Sequence, residues 1–245
     1  MSSTVSSIHR ETITYNYNGT EYEGTLTWNA GTSGRKPGVL IAHAWMGLDA
    51  YAKRRAMQIA RLGYVAFALD MYGGGKNAEN TDEAGKLITD LRADRKEMRA
   101  RAQAGLKVLR EQRIVESRNL AAIGYCFGGC TVLELARDGA DLRGVVSFHG
   151  LLDKGDAPTA KPMPARVLAL HGHEDPLVPP EQVAAFQKEM TDAEADWQLV
   201  TFGGAVHAFT NSDAGSDKST GLAYDPAADE RSWQMMRAFL EKIFN

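Results

Sequence analysis

The chain has two cysteines among its 245 residues, and both fall in "GYCFGGC", Gly124 to Cys130. A thiol can staple a fold, bind a metal or act as a nucleophile. Cys126 follows an apolar run and stands in the arrangement Gly124-Tyr125-Cys126-Phe127-Gly128. That is the G-x-S-x-G pattern of a nucleophile elbow, with sulfur in place of oxygen. An elbow of this kind is a strained strand-to-helix turn that projects the nucleophile over the end of a sheet. Strand and helix cross closely there, so the residues two before and two after the nucleophile must be small. The thiol also sits at a helix N-terminus, whose partial positive charge favours thiolate. With an imidazole nearby, such placement lowers a thiol pKa from about 8.5 into the range of roughly 3.5–7.5. The competing reading of Cys126 is a small buried apolar side chain, and its partners decide between the two. Cys130, one helical turn on, is expected to pack under the elbow without a role. Two cysteines build no disulfide framework, and this spacing without a second pair is not a zinc pattern.

A nucleophilic thiol needs a base, and the base needs an orienter. Six histidines are available: His9, His43, His149, His171, His173 and His207. In an elbow protein the chain order is nucleophile, acid, histidine, with the histidine after the last strand. His207 in "TFGGAVHAF" fits that place, and Asp175 in "VLALHGHEDPLVP", followed by Pro176, fits the acid. His171 and His173 are expected to hold the turn before Asp175 by hydrogen bonds, and Glu174 to face solvent. The string His171, His173, Glu174, Asp175 lacks a further ligand cluster, so neither a metal nor a cofactor is expected. His9 reads as a surface residue. Two main-chain N–H groups should hold the oxyanion, one from Phe127 and one from Trp45 in the loop His43-Ala44-Trp45-Met46-Gly47. Met46, Tyr72, His149 and Phe209 are expected to line the substrate pocket, with Tyr224 as a further wall. Gly73, Gly74, Gly75 and Lys76 do not have P-loop spacing.

These residues need elements to position them. "TITYNYNGTEYEGTLTW" alternates around Asn18-Gly19, a hairpin signal. Apolar runs at 38–44, 64–70, 119–125, 144–149 and 166–172, and the mixed run 197–204, read as strands. Helices are expected over 51–62, 127–138, 180–192 and 226–243. From Thr81 to about Arg113 the period is helical, with Leu87, Leu91, Met98, Ala102, Leu106 and Leu109 mostly three, four or seven apart. After the hairpin, strand and helix alternate, which predicts a mostly parallel central sheet with helices on both faces. Ligands then bind at the carboxyl ends of the strands, where the candidate residues fall.

Composition sets the outer limits. The chain is 44% hydrophobic and 24% charged, with a net charge of -3. This predicts one α/β domain over 1–245, large enough to bury a core without staples. Bulk charge does not favour nucleic acid or anionic membrane. "MSSTVSSIHRE" has no secretory h-region, no run approaches a membrane span, and the reducing cytoplasm is the expected compartment. The sequence leaves the oligomeric state open.

Taken together, "GYCFGG", "HGHEDPLVP", "GGAVHAF" and "LIAHAWMG" resemble the dienelactone hydrolase family, a cysteine-nucleophile branch of the α/β-hydrolases. The similar stretches run from about residue 37 to 211. The resemblance implies an α/β-hydrolase fold, a triad of Cys126, His207 and Asp175, and hydrolysis of small esters or lactones through an acyl-enzyme. Two departures stand out. Members that cleave the diene lactone carry a glutamate at the position of Ala44, which keeps the thiol protonated until substrate arrives. They also carry an arginine at the position of Asn211, for the substrate carboxylate. Without that cation the charge-assisted partner for a carboxylate is gone. Arg92, Arg95 and Arg99 on the long helical stretch are alternatives, read more simply as solvated charges. Without the glutamate, Cys126 and His207 are expected to rest as an ion pair. Two other readings remain open: a non-catalytic relative that binds a small ligand or a partner protein, and an acyltransferase or thioesterase using the same triad.

Overall fold

The structure is a computed structural model, and it describes residues 7–245. Residues 1–6, the start of the stretch read for a leader, lie outside the described residues. The chain divides into two compact units, the first ending at Ala122 and the second running from Ile123 to Asn245.

In the first unit, β1 (Ile8–Tyr17) and β2 (Thr20–Asn29) form the expected antiparallel hairpin. Asn18 and Gly19 make its turn, both with positive φ, 50° and 79°, as a two-residue hairpin with the twist of its strands requires. β2 pairs antiparallel with β4 (Val65–Leu69), and β4 pairs parallel with β3 (Lys36–Ala42), giving the order β1-β2-β4-β3. β3 and β4 are almost wholly buried, as strands covered on both faces are. α1 (Ala50–Arg61) joins them, capped by Asp49, whose carboxylate accepts from the Ala52 N–H at 3.0 Å.

The single helical period from Thr81 resolves into two helices, α2 (Thr81–Ala93) and α3 (Arg95–Arg110). Asp94 breaks it. Its backbone leaves the helical region, at φ -112° and ψ 82°, and its carboxylate accepts from the Glu97 N–H at 3.0 Å. An aspartate gains more as a cap than inside a helix. The buried stripe of Leu91, Met98, Ala102, Leu106 and Leu109 continues across the break, so the spacing alone conceals it. Arg95 and Arg99 depart from the solvated reading: each is 6% exposed, while Arg92 is half-buried. β5 (Val115–Tyr125) begins four residues before the expected Asn119, through a polar stretch at 116–118, and runs from the first unit into the second.

In the second unit, β6 (Gly144–Phe148), β7 (Arg166–Gly172) and β8 (Trp197–Phe202) are parallel and adjacent in that order. Its helices are α4 (Phe127–Arg137), α5 (Pro180–Asp192) and α6 (Pro226–Phe244). Arg137 at the end of α4 is fully buried and ties three segments together. It donates to Glu189 on α5 at 3.0 and 2.8 Å, to Glu134 at 3.0 Å, and to the carbonyls of Leu152 and Asp153 at 2.7 and 3.2 Å. A buried cation whose donors are satisfied in this way fixes geometry more than it adds net stability. Here it holds the segment that leaves β6.

Candidate active site

Cys126 lies between the end of β5 and the start of α4, with φ 56° and ψ -117°. That φ is left-handed, a strained conformation for a side-chain-bearing residue. Main-chain bonds hold it: the Cys126 N–H donates to Phe148 O at 3.0 Å, and the Cys126 carbonyl accepts from Gly129 at 2.9 Å. The small-residue requirement is met at Gly124, where a Cβ would stand 1.9 Å from the Gly128 carbonyl oxygen. Cys126 is half-buried, whereas Cys130 is buried. The first turn of α4 carries no acidic side chain and no side-chain cap, so no carboxylate offsets the helix dipole at the thiol.

The acid and the histidine come from the ends of β7 and β8. Asp175 is 3% exposed and His207 1%. The His207 Nδ1–H donates to Asp175 Oδ2 at 2.8 Å, and the other carboxylate oxygen accepts from the Leu177 N–H at 2.9 Å. The His207 main chain is pinned on both sides, its N–H donating to Gly221 O and its carbonyl accepting from Ala223, each at 3.1 Å. Nε2 of His207 is buried with no hydrogen-bond partner, and the Cys126 side chain is near enough to act on the ring. Burial lowers the basicity of His207. The charge of the Cys126 sulfur and the bond to Asp175 outweigh it, and the ring is raised from 6.5 to about 10. His171, buried next to them, goes the other way: burial lowers it, and the charges of His173 and His207 add to that against the pull of Asp175. Of the two rings, His207 is the one whose basicity is raised.

The bonds described for the turn before Asp175 are main-chain ones. His173 donates to Phe202 O at 3.0 Å, Glu174 to Ala205 O at 2.9 Å and Asp175 to Gly172 O at 3.2 Å. His173 and Glu174 are exposed. His149, at the end of β6, is 2% exposed, and Phe209 is fully buried against Phe202, with ring centroids 5.3 Å apart. Tyr224 turns to α6, donating to Asp229 at 3.3 Å. His9 is exposed beside Trp28. Among the described residues no group of three or more His, Cys, Asp and Glu side chains is placed to hold a metal ion. A groove of about 600 Å³ runs along β8 and α6, lined by Trp197, Leu199, Met235 and Phe239 among others, and contains none of Cys126, Asp175 and His207.

In the first unit, the loop carrying Trp45 and Met46 is held by His43, to which the sequence assigns no role, and by Tyr72. His43 is fully buried, and burial keeps its basicity low against the raising effect of the Ala44 carbonyl and two aspartates. It donates from Nδ1 to Ala44 O at 2.6 Å and accepts at Nε2 from the Met71 N–H at 3.2 Å. Those two bonds require the neutral Nδ1–H tautomer. Tyr72, half-buried, donates to Trp45 O at 2.6 Å, and Met46 O accepts from Ala78 at 2.9 Å. Asp70, at the end of β4, accepts from the N–H groups of Tyr72, Gly73 and Gly75 at 2.8–2.9 Å and so shapes the glycine loop. The one sequence signal for Asp70 and His43 is their place at the ends of strands.

Comparison with known proteins bears on the family and the fold. The model of the dienelactone hydrolase family matches residues 24–244, which spans both units. A curated Bradyrhizobium sp. protein named "Probable 2-oxo-3-(5-oxofuran-2-ylidene)propanoate lactonase" is 27% identical over 91% of this chain and 91% of its own. The crystal structure of a dienelactone hydrolase-like promiscuous phosphotriesterase from metagenomic libraries is 39% identical and superposes with a TM-score of 0.91, over 97% of this chain and 99% of that one. An alpha/beta hydrolase enzyme from a Medee basin deep-sea metagenome library, 19% identical with a TM-score of 0.64 over 97% and 98%, bears on the fold alone. The fold is that of the α/β-hydrolases: mostly parallel strands with an N-terminal antiparallel hairpin.

Proposed function

Since the chain belongs to the dienelactone hydrolase family, we propose that it hydrolyses small carboxylic esters or lactones through an acyl-enzyme on Cys126, with His207 as acid and base and Asp175 as orienter. The observation that carries this reading is His207 itself, bonded at Nδ1 to Asp175, with its basicity raised by the Cys126 thiol on a strained elbow. The Cys126 thiolate attacks the ester carbonyl. The Phe127 N–H, at the start of α4, stabilises the oxyanion; the second donor of this reading, the Trp45 N–H, stays an expectation of the sequence pattern. As the tetrahedral intermediate collapses, the leaving alkoxide takes the proton from His207 Nε2. Water then attacks the thioester, His207 removes its proton, and collapse returns the thiolate and releases the acid. Asp175 keeps the ring in its tautomer and stabilises the imidazolium. The pocket residues Met46, Tyr72, His149 and Phe209 stay an expectation of the sequence pattern; of them His149 and Phe209 are buried within the second unit. With Ala44 and Asn211 at the two departures, uncharged acyl groups are the favoured substrates. A reducing compartment such as the cytoplasm suits an unprotected thiolate.

The test uses short p-nitrophenyl esters with wild type, Cys126→Ala and His207→Ala. Both variants are expected to lose turnover by at least about a thousand-fold. No turnover in wild type favours a binding protein, and a new ester formed with added alcohol favours acyl transfer. The likeness to the promiscuous phosphotriesterase supports a second activity of the same thiolate, attack at phosphorus with loss of an aryloxide. Paraoxon turnover that survives Cys126→Ala would contradict it.

A further inference from the structure

Three of the side-chain-bearing residues with left-handed φ lie at this site: Cys126 at 56°, His149 at 39° and Ala208, next to His207, at 61°. Such strain persists where the surroundings over-determine it, and it gathers at functional sites. The use of it at the elbow is evident. His149 is neither nucleophile, base nor orienter, yet its backbone is locked as firmly. Its N–H donates to Leu170 O at 2.8 Å. At Gly150, the next residue, a Cβ would stand 2.8 Å from Gly129 Cα in α4 and 2.3 Å from Ser147 Oγ. The His149 ring is aimed inward. Nε2 shares a hydrogen bond of 2.7 Å with Thr210 Oγ1, both residues 2% exposed. The ring meets His207 edge-to-face with centroids 5.3 Å apart, and Phe209 likewise at 5.0 Å.

One side-chain hydrogen bond, at Nδ1 to Asp175, leaves the tilt of the His207 ring weakly restrained. A packed ring restrains it. We propose that His149, clamped by Thr210, is a positioning residue that sets the tilt of His207 and keeps Nε2 aimed at the Cys126 sulfur in both half-reactions. The proposal rests on the roles given above to Cys126 and His207.

Two variants test it. His149→Asn removes the ring, and asparagine tolerates a left-handed backbone; Thr210→Val keeps the shape and removes the hydroxyl that bonds His149. Each is read by kcat and KM on a short p-nitrophenyl ester and by the pH midpoint of iodoacetamide alkylation at Cys126. For His149→Asn we expect kcat to fall about ten- to hundred-fold with KM within about two-fold, and the midpoint to rise towards that of a free thiol. Thr210→Val should move both in the same sense by less. A lower melting temperature with an unmoved midpoint and kcat would overturn the proposal, as would a raised KM with kcat retained. If His149→Asn fails to fold, Thr210→Val decides. The midpoint needs no turnover, so a shift in protein that hydrolyses no ester sustains the positioning role while the hydrolase reading fails.

Discussion

Sulfur in place of oxygen at the elbow changes what the histidine must do. A serine needs its proton removed during attack, whereas a thiol can lose it beforehand and leave the ring charged. The raised basicity of His207, to about 10 against an ordinary 6.5, is the protein side of that exchange. Its sign gives a prediction. A histidine whose folded value is raised contributes stability that is fully present below about 6.5 and is lost as pH rises through about 10. The melting temperature of wild type should therefore fall between pH 7 and 10 by more than that of Cys126→Ala, which lacks the negative partner. Parallel curves would contradict the charged pair. At this scale the candidate residues are legible in the sequence, because Cys126, Asp175 and His207 each sit in a short local pattern; the structure shows the bond between His207 and Asp175. His43 and Thr210 are not, since their partners lie 28 and 61 residues away. Nothing near them in the chain marks those bonds.

Elements carry the strain that holds these residues in place. The β5–α4 turn works because two main chains approach closer than any side chain allows. Gly124→Ala puts a methyl group 1.9 Å from a carbonyl oxygen, so strand and helix must part. We expect a cost above the roughly 1–3 kcal/mol of ordinary overpacking, seen as a melting temperature lower by about 2–4 °C for each kcal/mol. An unchanged melting temperature with full ester turnover would contradict the close crossing. Most element positions follow from the sequence, because buried parallel strands are continuous apolar runs and the hairpin turn has its Asn-Gly. What the sequence conceals has physical causes as well. Asp94 interrupts a helix without interrupting its apolar stripe, and the polar residues 116–118 disguise the start of β5. Arg95 and Arg99 look like solvated charges because spacing does not report which flank of a helix is covered.

For the whole chain, we propose that residues 1–245 act as one domain. The support is a family match over 24–244 and a strand, β5, that passes from one compact unit into the other. Calorimetry should then give one unfolding transition whose van't Hoff and calorimetric enthalpies agree; two resolved transitions would contradict it. Among the described residues no helix is long and apolar enough to cross a membrane. The central claim is covalent, and the mass of the whole chain reads it most directly. Mixed with p-nitrophenyl acetate and quenched in acid within the first turnovers, the protein should carry a single acetyl group. Peptide mapping should place it on Cys126, and hydroxylamine should remove it. Nitrophenol released with the chain mass unshifted, or an acetyl group mapped to another residue, would contradict the account.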